Sequence, residues 1–112
     1  MNHAQWRTAR AKKLLGETMD EDPAVVELRE EIRLAMELGQ AVFDRRTELG
    51  ISQAEMARRA GMTQPQVSRI EGGDTLPTLP LLDRLARALE SALDIHLVPG
   101  TDISVRFTAH AA

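Results

Sequence analysis

The chain has 112 residues and a formal net charge of −3, enough polymer for one domain with a single hydrophobic core. It contains no cysteine, which excludes disulfides, thiolate zinc sites and cysteine nucleophiles. No stretch approaches the roughly 20 apolar residues of a membrane span, and the start does not resemble a secretory signal, so we expect a cytoplasmic protein. Aromatic residues make up only 3% of the chain, so the core must be aliphatic.

The charges are distributed unevenly along the chain. Residues 1–13 carry four basic and no acidic side chains, whereas residues 14–40 carry eight acidic and two basic ones. Residues 41–73 hold five arginines against four acidic side chains. This local positive excess allows a nucleic-acid-binding surface, although the net charge of the whole chain argues against one.

Residues 1–22 show no clear hydrophobic period and end in an acidic run, which predicts a mobile arm. Trp6 is the only residue of this arm that is expected to anchor it to another surface. The basic residues around it are Arg7, Arg10, Lys12 and Lys13. Such a segment suits an acidic partner or a nucleic acid, and a disordered tail explains the same residues equally well.

A long helix is predicted to begin at Pro23, with the Asp22 carboxylate as its N-cap. Apolar residues then recur at spacings of three and four. They are Val25, Leu28, Ile32, Ala35, Gly39 and Val42. The stripe indicates one helix or two successive helices, because Gly39 suits either a break or a close helix contact. Gly50 follows the last turn, where glycine readily takes the left-handed conformation.

Two further helix starts lie at Ser52 and Thr63. Each hydroxyl is followed three residues later by a long polar side chain, Glu55 and Gln66, so each pair predicts a capping box. The first helix is predicted over 53–60, and a short turn at residues 61–62 connects it to the second. The second helix is predicted over 64–71, and two glycines follow it.

Thr78 is the predicted N-cap of a fourth helix with an apolar stripe. The stripe comprises Leu79, Leu82, Leu85, Ala86 and Leu89. After Glu90 the hydrophobic period changes to two, which predicts strands near 93–98 and 103–107 joined by a turn at Pro99. Two strands alone are marginal in water, so the hairpin should fold back on its own domain or pair with a second copy, and we favour pairing.

The two short helices have the spacing of a helix-turn-helix. Counting from Gln53, the fifth residue is Ala57, the ninth Gly61, the fifteenth Val67 and the eighteenth Ile70. The small alanine lets the helices cross closely, and glycine accepts a positive φ at the corner. The two branched side chains face inward and fix the second helix.

Through these residues the chain resembles the Xre family of lambda-repressor and Cro-like helix-turn-helix proteins. The resemblance covers residues 49–73 and continues through 77–89, about half of the chain. It implies a mainly α fold, with four or five helices in a DNA-binding domain over 23–91. The β-strand or hairpin over 92–112 is predicted from the period of two alone, and it lies where many relatives have a fifth helix. It also implies transcriptional repression by a homodimer whose second helix enters the major groove of operator DNA.

The outward face of the second helix carries the candidate base-reading side chains. They are Gln64, Pro65, Gln66, Ser68 and Arg69. The Arg69 fork fits guanine O6 and N7 or a phosphate, and the Gln64 amide fits adenine N6 and N7. Gln66 is a candidate reader only as far as the capping box leaves its amide available.

The candidate phosphate contacts flank this helix. Gln53 resembles the family's backbone-contacting glutamine, and the dipole of its helix would help it to hold a phosphate. Further candidates are Arg45, Arg58, Arg59 and Thr63. The resemblance implies a structural ion pair between Arg46 and Glu71.

Two positions depart from the family pattern. Many relatives place a cation in the loop where this chain has Asp74, Thr75 and Leu76, and Pro65 has no side-chain donor. Because the positive excess is small, we expect affinity to depend on two half-sites about 34 Å apart.

The basic N-terminal segment, the acidic joint and the long helix together resemble HigA-type antitoxins. These are small Xre proteins that repress their own operon and neutralise a RelE-like or HigB-like ribonuclease toxin. The resemblance makes Trp6, Arg7 and Arg10 candidates for contact with such a partner. The alternative is an interaction module that neutralises a toxin and binds DNA only weakly.

An enzyme is not expected. The three histidines lie far apart in the sequence, and none has a carboxylate at the spacing of a metal site or catalytic triad. The glycines are scattered at turns and form no phosphate-binding loop. We therefore expect neither a metal nor a cofactor.

Overall fold

The computed structural model describes residues 22–110, and these form four helices and a two-stranded antiparallel hairpin. The elements are α1 (Pro23–Glu48), α2 (Gln53–Ala60), α3 (Gln64–Glu71), α4 (Leu79–Ala88), β1 (Ser91–His96) and β2 (Ser104–Ala109). This confirms the predicted mainly α fold with a C-terminal hairpin. The predicted arm, including Trp6, Arg7 and Arg10, lies outside the described residues apart from Asp22. Across residues 22–110, no helix has both the length and the apolar character that crossing a membrane requires.

Helix α1 is one continuous helix of 26 residues. Its N-cap is the predicted one, because the Asp22 carboxylate accepts a hydrogen bond from the Ala24 amide at 2.9 Å. Gly39 is therefore not a break. A Cβ atom built on it would lie 2.7 Å from the Glu71 carbonyl oxygen and still closer to that of Ile70, so Gly39 lets α1 pack directly against the end of α3.

The corner between α2 and α3 is fixed by local hydrogen bonds. The Thr63 hydroxyl accepts from the Gln66 amide at 3.3 Å, and the Gln66 side chain accepts from the Thr63 amide at 2.8 Å, which completes the predicted capping box. Ser52 caps α2 from one side only, because the Glu55 carboxylate binds arginines instead of reaching back. The predicted capping box at Ser52 was therefore wrong in one half, the hydrogen bond from the Ser52 backbone amide to the Glu55 side chain. Gly61 takes the predicted left-handed conformation, with φ 66°.

Each of the four helices supplies two side chains to one aliphatic core. The core residues are Leu38 and Val42, Met56 and Ala57, Val67 and Ile70, and Leu85 with Leu89 at the C-cap of α4. The predicted stripes were partly wrong at their outer ends, because Leu28 is 40% exposed and Leu79 is 78% exposed. Leu79 is the first residue of α4 and Leu28 lies in the second turn of α1, where these helices extend past the core.

The hairpin folds back on its own domain. In its register Leu93 faces Phe107 and Ile95 faces Val105, and all four side chains are half-buried. Strand β2 packs against α1 and β1 against α4. Leu97 lies beyond the end of β1 and is 60% exposed, so the predicted first strand was placed two residues too late. Pairing with a second copy stays a prediction.

Candidate nucleic-acid interface

Helix α3 packs one face against the core and exposes the opposite face to solvent. Val67 and Ile70 face the core with 0% and 2% of their surface exposed. On the opposite side Gln64, Ser68 and Arg69 are exposed. Within residues 22–110, no side-chain hydrogen bond or ion pair engages any of these three. The helix is thus rigidly placed, while its outward donors and acceptors remain available to a ligand.

The chemistry of this face suits the edges of base pairs. A guanidinium offers two parallel donors that match guanine O6 and N7, and a carboxamide can both donate and accept against adenine. Arg69 lies five positions after Gln64, so the two groups lie more than one turn apart along α3. Pro65 is exposed beside Gln64 and adds only an apolar surface.

Gln66 and Thr63 are occupied by the cap of α3. The Gln66 amide oxygen accepts from the backbone amide of Thr63 at 2.8 Å and from its hydroxyl at 3.2 Å. Gln66 is also half-buried. Its amide nitrogen remains a donor, but the oxygen that would complete a two-point contact with adenine is engaged. The structure therefore assigns Gln66 primarily to the helix start.

A buried ion pair joins α1 to the end of α3. The Arg46 guanidinium donates to both Glu71 oxygens, at 2.6 and 3.0 Å, and to the Ile51 carbonyl at 2.9 Å. Only 11% and 6% of the two side chains are exposed. Hydrogen bonding to Glu71 raises the pKa of Arg46 above its ordinary value, despite the opposing effect of burial. The structure thus contains the ion pair implied by the resemblance.

Gln53 is attached to the same carboxylate. Its amide nitrogen donates to a Glu71 oxygen at 3.1 Å, which connects α2 to the ion pair. A carboxamide nitrogen carries two hydrogens, so one remains for a second acceptor. The side chain lies at the N-terminus of α2, where the helix dipole and unpaired backbone amides favour an anion. Gln53 is therefore preoriented for a phosphate oxygen.

Arg45 does not belong to the interface, and its assignment as a phosphate contact was wrong. The residue is 9% exposed. Its Nε donates to the Leu89 carbonyl at 3.1 Å and to the Ser91 hydroxyl at 2.8 Å. A further ion pair joins it to Glu48 at 3.2 Å. These contacts turn the side chain away from solvent and toward the start of β1, where it connects α1 to the hairpin.

Arg58 and Arg59 share one carboxylate on the surface of α2. Arg58 makes a two-point contact with Glu55 at 2.5 and 2.9 Å, and Arg59 binds the same group at 3.1 Å. These bonds lower the pKa of Glu55 to about 2, with Arg58 as the larger cause. Arg58 is 72% exposed and keeps donors for a phosphate, whereas Arg59 also donates to the Ala88 carbonyl at 3.4 Å. Arg58 is thus the better placed of the two.

Arg84 is a positioning residue that the sequence analysis missed. It projects from α4 and donates to the carbonyl oxygens of Ala60, at 2.8 Å, and Gly61. These are the last residue of α2 and the glycine of the turn, so Arg84 holds the corner that sets the angle of α3. The contacts span 23 and 24 residues of sequence, and no local pattern points to them.

Comparisons with known proteins agree with this geometry. Residues 43–95 match the helix-turn-helix family, a range that includes α2, α3, α4 and most of β1. The ImmF control region 10 kDa protein of Bacillus phage phi105 is 37% identical over 68 residues, which cover 61% of this chain and 73% of that protein.

Two further relatives match more of the chain. An uncharacterised HTH-type transcriptional regulator of Haemophilus influenzae is 36% identical over 72% of this chain and 86% of its own length. Antitoxin HigA1 of Mycobacterium tuberculosis H37Rv is 35% identical over 74% of this chain, but the match spans only 56% of that antitoxin. The chain belongs to the helix-turn-helix family of DNA-binding transcriptional regulators.

Proposed function

We propose that the protein is a cytoplasmic repressor that binds operator DNA as a homodimer and reads it with α3. The observation that carries this proposal is the state of the α3 outer face, where Gln64, Ser68 and Arg69 are exposed and unengaged within residues 22–110. Structural arginines such as Arg46, by contrast, bind partners inside the domain. A polar face kept free on a firmly braced helix supports a role in recognition.

The contacts of each side chain indicate whether it binds base edges or phosphates in the proposed complex. Arg69 and Gln64 contact base edges in the major groove. Gln53, held by Glu71, and Arg58 contact the phosphates on either side, and so set the register of α3 on the duplex. The loop after α3 contains Asp74 and no cation, so fewer phosphate contacts are available there than in many relatives.

DNA binding is tested by gel shift and fluorescence anisotropy, using the region upstream of the protein's own gene. Arg69→Ala should weaken specific binding by about 1–3 kcal/mol and relax selectivity at one base pair. Arg106→Ala is the matched control, because it removes an exposed arginine from the outer face of the hairpin.

The dependence of binding on salt and sequence distinguishes a base contact by Arg69 from a phosphate contact. Uniform weakening on all sequences, with a salt slope reduced by about 1, would make it a phosphate contact and not a base reader. Absence of any salt-dependent complex would contradict the repressor proposal as a whole.

The proposed dimer uses a groove between α4 and β1. This groove has a volume of about 620 Å³. Its apolar lining residues include Leu79, Leu82, Ala86, Leu93 and Ile95. Among residues 22–110, β1 pairs only with β2, so its second edge bonds to no other strand. A second copy that pairs at this edge would cover the groove and the exposed side chain of Leu79.

Sedimentation equilibrium tests this interface. Leu79→Asp should convert dimer to monomer without unfolding the domain, because the side chain is 78% exposed. Leu28→Asp introduces the same charge at an exposed position on α1 and should leave the dimer intact. A monomeric wild-type protein, or a dimer unaffected by Leu79→Asp, would contradict this interface.

A second candidate function is neutralisation of a toxin, supported by the similarity to antitoxin HigA1 over 74% of this chain. Co-expression with the product of the neighbouring gene tests it. Neutralisation should survive Arg69→Ala, which affects only DNA reading, and should be lost in Trp6→Ala if the N-terminal segment contacts the toxin. Strong neutralisation without a detectable DNA complex would favour the alternative of an interaction module.

A further inference from the structure

A second groove lies between the first half of α1 and the loop that follows β1. It has a volume of about 510 Å³. The apolar side chains that line it include Val26, Leu34, Leu97, Val98 and Ile103. Leu97 and Val98 are 60% and 40% exposed, so this apolar surface is open to solvent. The groove is separate from the α4 and β1 groove assigned above to the dimer.

Three glutamates of α1 lie along one side of this apolar surface. Glu27, Glu30 and Glu31 line the groove, and no basic residue does. None of the three forms an ion pair within residues 22–110. Arg33, one turn further along α1, is already bound to Asp102 at 2.6 Å. The groove therefore presents unneutralised negative charge beside an apolar surface, which suits a segment that combines basic and apolar side chains.

We propose that residues 6–15 of the same chain occupy this groove. The segment carries four basic and no acidic side chains, and its apolar side chains include Trp6, Leu14 and Leu15. The chain enters the described structure at Asp22, one helical turn before Val26 of the groove. The residues between Leu15 and Asp22 can span about 20 Å when extended, so the connection is long enough. Charge complementarity and proximity thus point to the same occupant.

Docking here leaves the DNA-reading surface open. The groove involves α1 between Val26 and Leu34, whereas α1 meets α3 at Gly39 and beyond. The docked segment would place its four positive charges against glutamates, and so reduce non-specific attraction to DNA phosphates. This inference does not depend on the proposed repressor function.

Trp6 is the only tryptophan in the chain, so its fluorescence reports on the segment in the full-length protein. Docking predicts a blue-shifted emission maximum and a several-fold smaller acrylamide quenching constant than that of free tryptophan. The triple variant Glu27→Gln, Glu30→Gln, Glu31→Gln should lose both effects, as should high salt, because the charges lie near the surface. Circular dichroism checks that this variant keeps its helices.

A matched triple variant removes three exposed acidic charges elsewhere, through Glu37→Gln, Glu90→Gln and Asp94→Asn. It should leave the Trp6 signal unchanged. A water-exposed Trp6 spectrum in the wild-type protein, or equal loss of signal in both triple variants, overturns the proposal. Quenching protection that disappears on dilution also overturns it, because the occupant would then be the segment of a second copy.

Discussion

Gly39 sets the distance between α1 and α3. Alanine within a helix normally stabilises a protein relative to glycine by about 1 kcal/mol. Here the added Cβ would lie 2.7 Å from the Glu71 carbonyl oxygen, and neither backbone can rotate away. We predict that Gly39→Ala lowers the free energy of unfolding by about 1–3 kcal/mol, because overpacking exceeds the gain in helix propensity. Urea unfolding measures the effect.

The same substitution should weaken DNA binding, since it displaces the end of α3 where Glu71 holds Gln53. Gln40→Ala is the control, because Gln40 is the next residue of α1 and is exposed. If Gly39→Ala were as stable as wild type and bound DNA equally well, the close helix contact would not be a constraint.

Glu55 makes part of the stability depend on pH. Its pKa is lowered to about 2 by Arg58 and Arg59, from an ordinary value of 4.5. A carboxyl whose pKa is lower in the folded state stabilises that state above the ordinary value, and the contribution disappears as pH falls toward 2. We predict that Glu55→Gln flattens the fall in urea midpoint between about pH 4.5 and pH 2.

Glu37→Gln is the control for this measurement. Glu37 is an exposed glutamate of α1 that forms no ion pair within residues 22–110. If the urea midpoint of Glu55→Gln fell with decreasing pH as much as that of the wild type, the arginine contacts of Glu55 would not persist in solution.

At the scale of elements, the predictable features were those specified by neighbouring residues. The caps at Asp22 and Thr63 each depend on residues two or three positions apart, and the structure contains both. The positions of Arg45 and Arg84 depend on partners 23 to 46 residues away. A local pattern carries no information about such partners, so a buried arginine was interpreted as a surface cation.

Arg45 joins two elements, and removing its guanidinium should loosen the hairpin. We predict that Arg45→Met lowers the free energy of unfolding by about 1–3 kcal/mol, because the Leu89 carbonyl and the Ser91 hydroxyl lose a charged donor. Amide exchange in β1 should accelerate. Arg87→Met is the control. Arg87 is exposed on α4 and, within residues 22–110, forms an ion pair only with Asp83, so its loss should cost at most about 0.5 kcal/mol.

Intact affinity of Arg45→Met for DNA, at a temperature where the variant is folded, would confirm that Arg45 contacts no phosphate. Reduced affinity with an unchanged salt slope would indicate an indirect effect through the hairpin. A reduced salt slope would contradict the placement of Arg45 in the interior.

At the scale of the whole molecule, the proposed dimer predicts how operator spacing affects binding. Two copies of α3 on one face of DNA require half-sites about one helical turn apart. Inserting 5 base pairs between half-sites mapped by footprinting moves one of them to the opposite face, and should reduce binding to that of a single half-site. Titration by gel shift measures this. Equal affinity for the altered and original spacings would indicate independent monomers.

The sequence predicted the elements of the fold more readily than the way in which those elements pack together. The helix-turn-helix spacing from Gln53 to Ile70 identifies the DNA-binding unit, because each position has a mechanical role in that motif. The period of two after Glu90 indicates a hairpin but not the surface that it covers. That choice depends on the area buried against α1 and α4, a property of the folded molecule.

The engagement of Gln66 in the cap of α3 limits how much information one half-site can hold. With its oxygen bound to Thr63, two long side chains, Gln64 and Arg69, remain for the proposed base recognition, together with the short side chain of Ser68. In the proposed dimer, each protomer then specifies only a few base pairs, and the two-fold symmetry of the dimer doubles the length of the DNA sequence that is recognised. In the proposed repressor, substitutions at Gln64 and Arg69 would therefore change which operators are bound, while every residue that supports the helix stayed as it is.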